Sequence, residues 1–251
     1  MTLIGDPGEK TPLLGEEPQA ERWVRKFLMG EEFINGDDRY CLWLSEITAP
    51  DLKRVPKVRE RVEPCREWRL EQTSTGDAYK LANRYHLLRP TSKSKDGIYI
   101  GIPKVSSGRR KYIPAGFADD GMIPGDKLYF MPTGFLFVFE TFMSQFHNAW
   151  MRAVGGRLKS EYSYGNTTIC NNFVWLDSTD CQQKRIEECA LAAFDERTQY
   201  EGSTLADLYD PDNEFLYSAL VKARQKLDKE VETAYEVDFD GYGHKNHCPS
   251  F

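Results

Sequence analysis

Residues 144–176, SQFHNAWMRAVGGRLKSEYSYGNTTICNNFVWL, gather side chains better suited to reading a hydrogen-bonding edge than to breaking a bond. A helical stretch with one apolar face runs into Gly155-Gly156. A cluster of Arg157, Lys159 and Glu161 follows, then Tyr162 and Tyr164, then a strand-like run. A lysine can donate to guanine O6 and N7, and a carboxylate can accept from cytosine N4. Lys159 and Glu161 are two apart, and on an extended segment such residues project to the same side. The pair therefore has the donor and acceptor that one G·C base pair requires. The same two residues also fit a surface ion pair worth about 0–1 kcal/mol. Arg152, Arg157 and Lys159 form a cationic site around Gly155-Gly156, where small residues let the backbone approach a ligand. Tyr162 and Tyr164 either pack this cluster or touch sugar-phosphate.

A second cluster lies upstream. Ser106, Ser107, Arg109, Arg110, Lys111 and Tyr112 mix hydroxyls and cations in a loop between two expected strands. That mixture suits phosphate oxygens, and arginine can also chelate guanine. A solvated hairpin loop would have the same composition.

Catalytic signatures are missing. There is no GxGxxG motif and no Walker A loop; Gly156-Arg157-Leu158-Lys159-Ser160 lacks the glycine before the lysine. Asp210-Pro211-Asp212-Asn213-Glu214 begins like a calcium loop. It fails at Phe215, where the turn needs glycine, and at Val221, where a bidentate glutamate is needed. His147 falls on an apolar helical stretch beside Trp150 and reads as a core or surface histidine. His244, His247 and Cys248 lie in a glycine-containing tail. Asn171-Asn172-Phe173 is not the Asn-Pro-Pro-aromatic tetrapeptide with which amino-methyltransferases hold a flipped adenine. No catalytic residue, cofactor site or metal site is expected in this chain.

The net charge of −6 argues superficially against a polyanionic partner, but it is unevenly spread. Residues 1–50 carry −5, 51–115 carry +9, 116–175 carry −1 and 176–251 carry −9. Such segregation fits a phosphate-facing surface beside an acidic, solvated module; an ordinary exposed basic face would look the same. The six cysteines form no CxxC pair, which suits reduced thiols in a cytoplasm. No apolar run is long enough to span a membrane.

The elements that must position these residues follow from periodicity and punctuation. Residues 1–20, with three prolines, read as an extended lead-in. Asn35-Gly36 signals a tight turn, followed by a strand over 39–44. Helical segments are expected near 49–55 and 58–72, with Pro64 interrupting the second. Strands are expected at 98–103, 111–113 and 127–130, and a helix over 134–154. After Leu176, helices are expected at 183–197, 204–209 and 215–236, with 239–251 disordered. The fold class is α+β: a β-rich recognition domain over 1–176 and a small all-α module over 177–238.

Five blocks, in order, carry a family resemblance. They are Glu32–Gly36 with Arg39–Leu44, Pro103–Pro114 (PKVSSGRRKYIP), His147–Tyr164, Asn171-Asn172-Phe173, and Ser203–Pro211 (STLADLYDP). Together they cover about residues 30–236 and resemble the C-terminal part of MmeI-like enzymes, the single-chain bacterial type IIL restriction-modification proteins that methylate adenine in DNA. The resemblance implies a target-recognition domain followed by a helical C-terminal domain. It implies double-stranded DNA as partner, and a methyltransferase part, domain or upstream-encoded subunit, that binds S-adenosylmethionine and is missing here. A fragment or one gene of a split system would fit. Gly108 departs from the family pattern, in which an acidic residue often precedes the Arg pair, so a local Arg–carboxylate pairing is not expected there. The alternative is a non-catalytic interaction or structural module that docks through its acidic helical tail. A steep fall of duplex affinity with salt separates the two.

Overall fold

The computed structural model describes residues 4–88, 97–119 and 121–236. In chain order the elements are β1 (Ile4–Gly5), α1 (Pro7–Glu16), β2 (Val24–Leu28), α2 (Gly30–Asn35), β3 (Tyr40–Leu42), α3 (Ala49–Arg54), α4 (Pro56–Leu70), α5 (Asp77–Lys80), β4 (Ile98–Pro103) and β5 (Val105–Ser106). Next come β6 (Gly116–Asp119), β7 (Met122–Pro124), β8 (Leu128–Met131), α6 (Leu136–Met143), α7 (Gln145–Val154), β9 (Gly156–Leu158), β10 (Glu161–Ser163), α8 (Asp180–Thr198), α9 (Leu205–Leu208) and α10 (Ser218–Ala234). The fold is α+β, its strands distributed over three small sheets. The described residues form two compact units, one of 4–32, 37–88, 119 and 121–126, the other of 33–36, 97–118 and 127–236.

The first unit is built on the sheet β1-β3-β2-β7, in which β2 runs antiparallel to β3 and parallel to β7. The N-terminal segment is not an extended lead-in. Asp6 caps α1 by accepting from the Glu9 amide at 3.0 Å, and Pro7 occupies the first helical turn, where its missing N–H costs nothing. Leu13, Ala20 and Trp23 then join Leu42, Leu44, Val55, Val58 and Val62 in the core. The helical break at Pro56 is real, because α3 ends at Arg54 and Pro56 opens α4. Buried Glu17 caps that opening, accepting from the amides of Lys57 at 2.7 Å and Val58 at 3.2 Å. Helix α4 runs on through Pro64 instead of stopping there. Gly36, with φ 73°, follows α2 in the left-handed conformation that ends helices; the tight turn at Asn35-Gly36 is a helix stop.

Some of the cations of the basic segment 51–71 are ion-paired within this unit. Arg22 meets Asp51 at 2.7 Å, Lys57 meets Glu60 and Glu16, Arg59 meets Glu63, and Arg61 meets Glu9. Arg69 is buried and donates to the carbonyls of Leu81, Arg84 and Leu87. The charge segregation seen along the chain is thus partly undone in space, where Glu16 and Glu9 face Lys57 and Arg61.

The second unit carries two three-stranded sheets, β6-β4-β8 and β5-β10-β9. The expected helix over 134–154 is two helices. Ser144 has extended backbone and caps α7, its hydroxyl accepting from the His147 amide. Residues 111–113 form no strand; the chain bends there, and β6 follows at 116. The run 171–176 is also not a strand. Thr179 and Gln182 form a capping box that starts α8. Ile100, Ile113, Phe139 and Phe142 share a core with Leu208, Tyr209 and Leu220. Phe146 and Phe173 share another with Ile186, Ala190, Leu227 and Val231. The helices after Leu176 therefore pack into the same unit as the strands that precede them. The tail expected to be disordered, with His244, His247 and Cys248, lies outside the described residues.

Candidate nucleic-acid interface

Ten residues singled out above converge on the sheet β5-β10-β9 and its loops. Helix α7 ends at Gly155, whose amide returns to the Met151 carbonyl at 2.8 Å. A Cβ at Gly155 would stand 2.4 Å from that carbonyl oxygen and 3.1 Å from Ile169, so this glycine serves the helix end, not a ligand. Strand β9 then pairs with β10 (Gly156↔Ser163, Arg157↔Tyr162, Leu158↔Glu161), and β10 pairs with β5 (Tyr162↔Ser106, Ser163↔Val105), all antiparallel.

Lys159 and Ser160 form the two-residue loop of the β9–β10 hairpin. Lys159 has φ 58°, a left-handed conformation for which glycine is the usual occupant at the first loop position. It therefore does not lie on an extended segment with Glu161, and the every-second-residue argument for their shared side fails. Both side chains nevertheless stand exposed at one hairpin tip.

The cations divide by what already engages them. Arg157 lies over the Tyr162 ring, 4.6 Å from its centroid, and its Nη2 donates to the Tyr162 hydroxyl at 3.1 Å. Arg152 approaches the same ring at 5.6 Å and donates to the carbonyls of Arg110 and Lys111 at 2.9 and 2.5 Å. It braces the loop 107–112 from behind. Arg109 is exposed and gives both its bonds from Nη2 to the two carboxylate oxygens of Asp212, at 2.6 Å each, which raises its pKa. Arg110 is half-buried, with its Nε sealed from solvent. Lys111 lies 3.6 Å from Asp228.

Asp228 is buried and organises more than Lys111. It accepts from the Tyr112 hydroxyl at 2.5 Å and from the Gln145 amide at the start of α7 at 2.7 Å. Burial and the Asp228 charge push the Tyr112 hydroxyl far up, so it stays a donor. Beside it, buried Arg224 pairs with Glu140 and donates to the Met143 carbonyl at 2.9 Å. Helix α10 thereby fixes both the loop and α7.

The hydroxyls are less available than expected. Ser106 is buried, and Ser107 accepts from the Arg109 amide at 3.3 Å, closing its own loop. Tyr162 and Tyr164 are both buried. His147 is fully buried among Phe142, Phe173 and Tyr164, and its Nε2 lies 3.3 Å from the Tyr164 hydroxyl. Burial pushes its pKa down to about 3, which marks a neutral core histidine. Among the described residues no group of three or more His, Cys, Asp or Glu could hold a metal, and no helix is long and apolar enough to cross a membrane.

Two residues of the site, Asp212 and Asp228, were not expected from the sequence, and Gly108 was noted there only as a departure from the family pattern. Asp212 and Asp228 lie 103 and 116 residues from their partners Arg109 and Tyr112. Gly108 supplies the space in which the two loops meet. The only signal for Asp212 was a calcium-like acidic run without calcium-loop spacing, which left its carboxylates unassigned.

Comparisons with known proteins give the family of the chain. The model of the MmeI target recognition domain matches residues 2–177, and that of the MmeI C-terminal domain matches residues 178–241. DNA methyltransferase A of Bacillus subtilis (strain 168) is 34% identical over 227 residues, 90% of this chain and 25% of that protein. The solved structure of the type IIL restriction-modification enzyme MmeI in complex with DNA superposes with a TM-score of 0.89 at 35% identity, over 98% of this chain and 32% of that one. The chain thus spans about a quarter to a third of the relatives it matches.

Proposed function

The chain belongs to the MmeI family, with its target recognition domain followed by its C-terminal domain, and from that premise we propose that it reads double-stranded DNA through the β5-β10-β9 sheet and the loops beside it. The observation that carries this reading is the hairpin tip. A two-residue turn presents Lys159 and Glu161, one donor and one acceptor, next to a loop bearing Arg109. A two-stranded ribbon fits the major groove, where a lysine suits guanine and a carboxylate suits cytosine N4. Arg109, and Lys111 with it, serve phosphate. Arg152, Tyr162 and Ser106 support from beneath, and Arg157 clamps Tyr162.

The division we adopt is a recognition domain of residues 1–176 and a helical module of 177–238; the meeting of the family models at 177 and 178 supports it. We infer that the chain itself transfers no methyl group. S-adenosylmethionine and adenine methylation belong to a methyltransferase part outside this sequence, in the bacterial cytoplasm, with or without a nuclease. The measurement is duplex binding by the purified chain across a salt series. Log affinity should fall linearly with log salt, with a slope of about −0.9 per phosphate neutralised. Binding that is absent, or insensitive to salt, would contradict the proposal.

A further inference from the structure

Register sorts the hairpin's side chains into two faces. Residues directly opposite in an antiparallel pair project to the same side, and successive residues alternate. Arg157, Tyr162 and Ser106 form one rung. Tyr162 and Ser106 of that rung face inward, 8% and 7% exposed, while Arg157 at the edge of the sheet stays exposed and folds back over the Tyr162 ring. The neighbouring rung, Leu158 opposite Glu161, must then face outward, and both residues are exposed, Leu158 by 57%. A lone exposed leucine means little. This one is the last residue before the turn, directly opposite the carboxylate assigned to a base edge. Its cationic neighbour Arg157 is turned over and tied to Tyr162.

We propose that Leu158 is a specificity-determining residue that packs on the C5 methyl of a thymine in the base pair next to the one Glu161 reads. In the major groove, thymine is distinguished by that methyl, and apolar side chains are its natural contacts. Opposed Cβ atoms stand about 5 Å apart, while successive bases along one strand are about 3.4 Å apart. Two side chains on one rung therefore reach neighbouring bases more readily than the same one. Acceptor and apolar contact would then act as a two-base-pair reader, with Lys159 at the tip serving the guanine. The assignment rests on the proposed reading of DNA by this hairpin.

The test begins with the site that the chain selects from randomised duplexes. Each thymine of that site is replaced in turn by deoxyuridine, which removes the methyl and nothing else. The unaltered chain should lose about three- to fivefold in affinity at one position adjacent to a G·C pair, the effect of one apolar carbon group. Leu158→Ala should bind the thymine and deoxyuridine duplexes alike at that position. Because Leu158 is exposed, this variant keeps the fold, which a melting curve checks. Indifference of the unaltered chain to every deoxyuridine overturns the assignment, as does a loss that persists in Leu158→Ala. A chain that selects no site at all overturns base reading as well; a chain that selects a site yet ignores the methyl overturns only the role of Leu158.

Discussion

Gly108 lies against the backbone carbonyl of Ser160 so closely that a Cβ on Gly108 would stand 2.5 Å from its oxygen. The loop 107–112 and the hairpin tip are thereby held together, with Tyr162 Cε2 3.7 Å away on the same side. Because the obstacle is backbone, it cannot rotate aside. Gly108→Ala should therefore push the loops apart at a cost of about 1–3 kcal/mol. A melting curve should show a modest loss of stability, and duplex affinity should fall roughly tenfold, equivalent to about 1.4 kcal/mol. Unchanged affinity would mean that the two loops act independently on DNA.

Arg109 faces a carboxylate where it is expected to face a phosphate. Asp212 takes both bonds from Nη2, and both partners are well exposed, so the pair opens readily. When Arg109 turns to DNA, the freed Asp212 regains a cation, and the net counterion release from this contact is small. In Asp212→Asn the same contact should release its full share. Sequence-independent binding should then tighten, and the salt slope should steepen by about one unit. Arg109→Ala should reduce the slope by less than one unit in the unaltered chain and by about one unit in the Asp212→Asn background. Equal effects of Arg109→Ala in both backgrounds would show that Asp212 does not compete for it.

His147 couples stability to acid. Buried and neutral in the folded state, it has a pKa lowered from 6.5 to about 3. Below pH 6.5 the unfolded chain binds a proton that the folded chain refuses, so the stability that depends on neutral His147 is present above 6.5 and is lost as pH falls toward 3. Urea unfolding at pH 7 and pH 5 should differ by about 2 kcal/mol from this residue. His147→Gln keeps a neutral polar group there and should remove that part of the difference. An identical pH dependence in the variant would mean that the histidine is protonated in place.

The site was more legible in the sequence than its wiring. The helical period over 134–154, the Gly-Gly break and the Lys–Ser–Glu cluster marked out the candidate interface, because each is a local signal, although the helix is broken at Ser144. The turn at Lys159-Ser160 was not legible, since the two-residue turns recognisable from sequence carry Asn-Gly or an initial glycine, and lysine shows no such preference. Residues 4–16 were misread because prolines suggest extended chain, yet Pro7 after Asp6 is a helix start. Lys111–Ile113 looked like a strand by composition. In the fold Tyr112 is drawn to Asp228 on α10, a tie across 116 residues that no local pattern announces. The same distance effect hid Asp212. It also made the +9 of residues 51–115 look more available than it is, since Glu9 and Glu16, with Glu60 and Glu63 of α4 itself, pair with Arg61, Lys57 and Arg59.

Base reading by the hairpin tip is tested most directly by selection from randomised duplexes with Lys159→Ala and Glu161→Ala beside the unaltered chain. Each variant should weaken binding to the selected site by about 1–3 kcal/mol and relax the choice at one G·C position, leaving the other positions as they were. Binding to unrelated duplexes should change less, because the phosphate contacts remain. Both variants selecting the same site with the same stringency would contradict the account, reducing Lys159 and Glu161 to a solvated pair at the end of a turn.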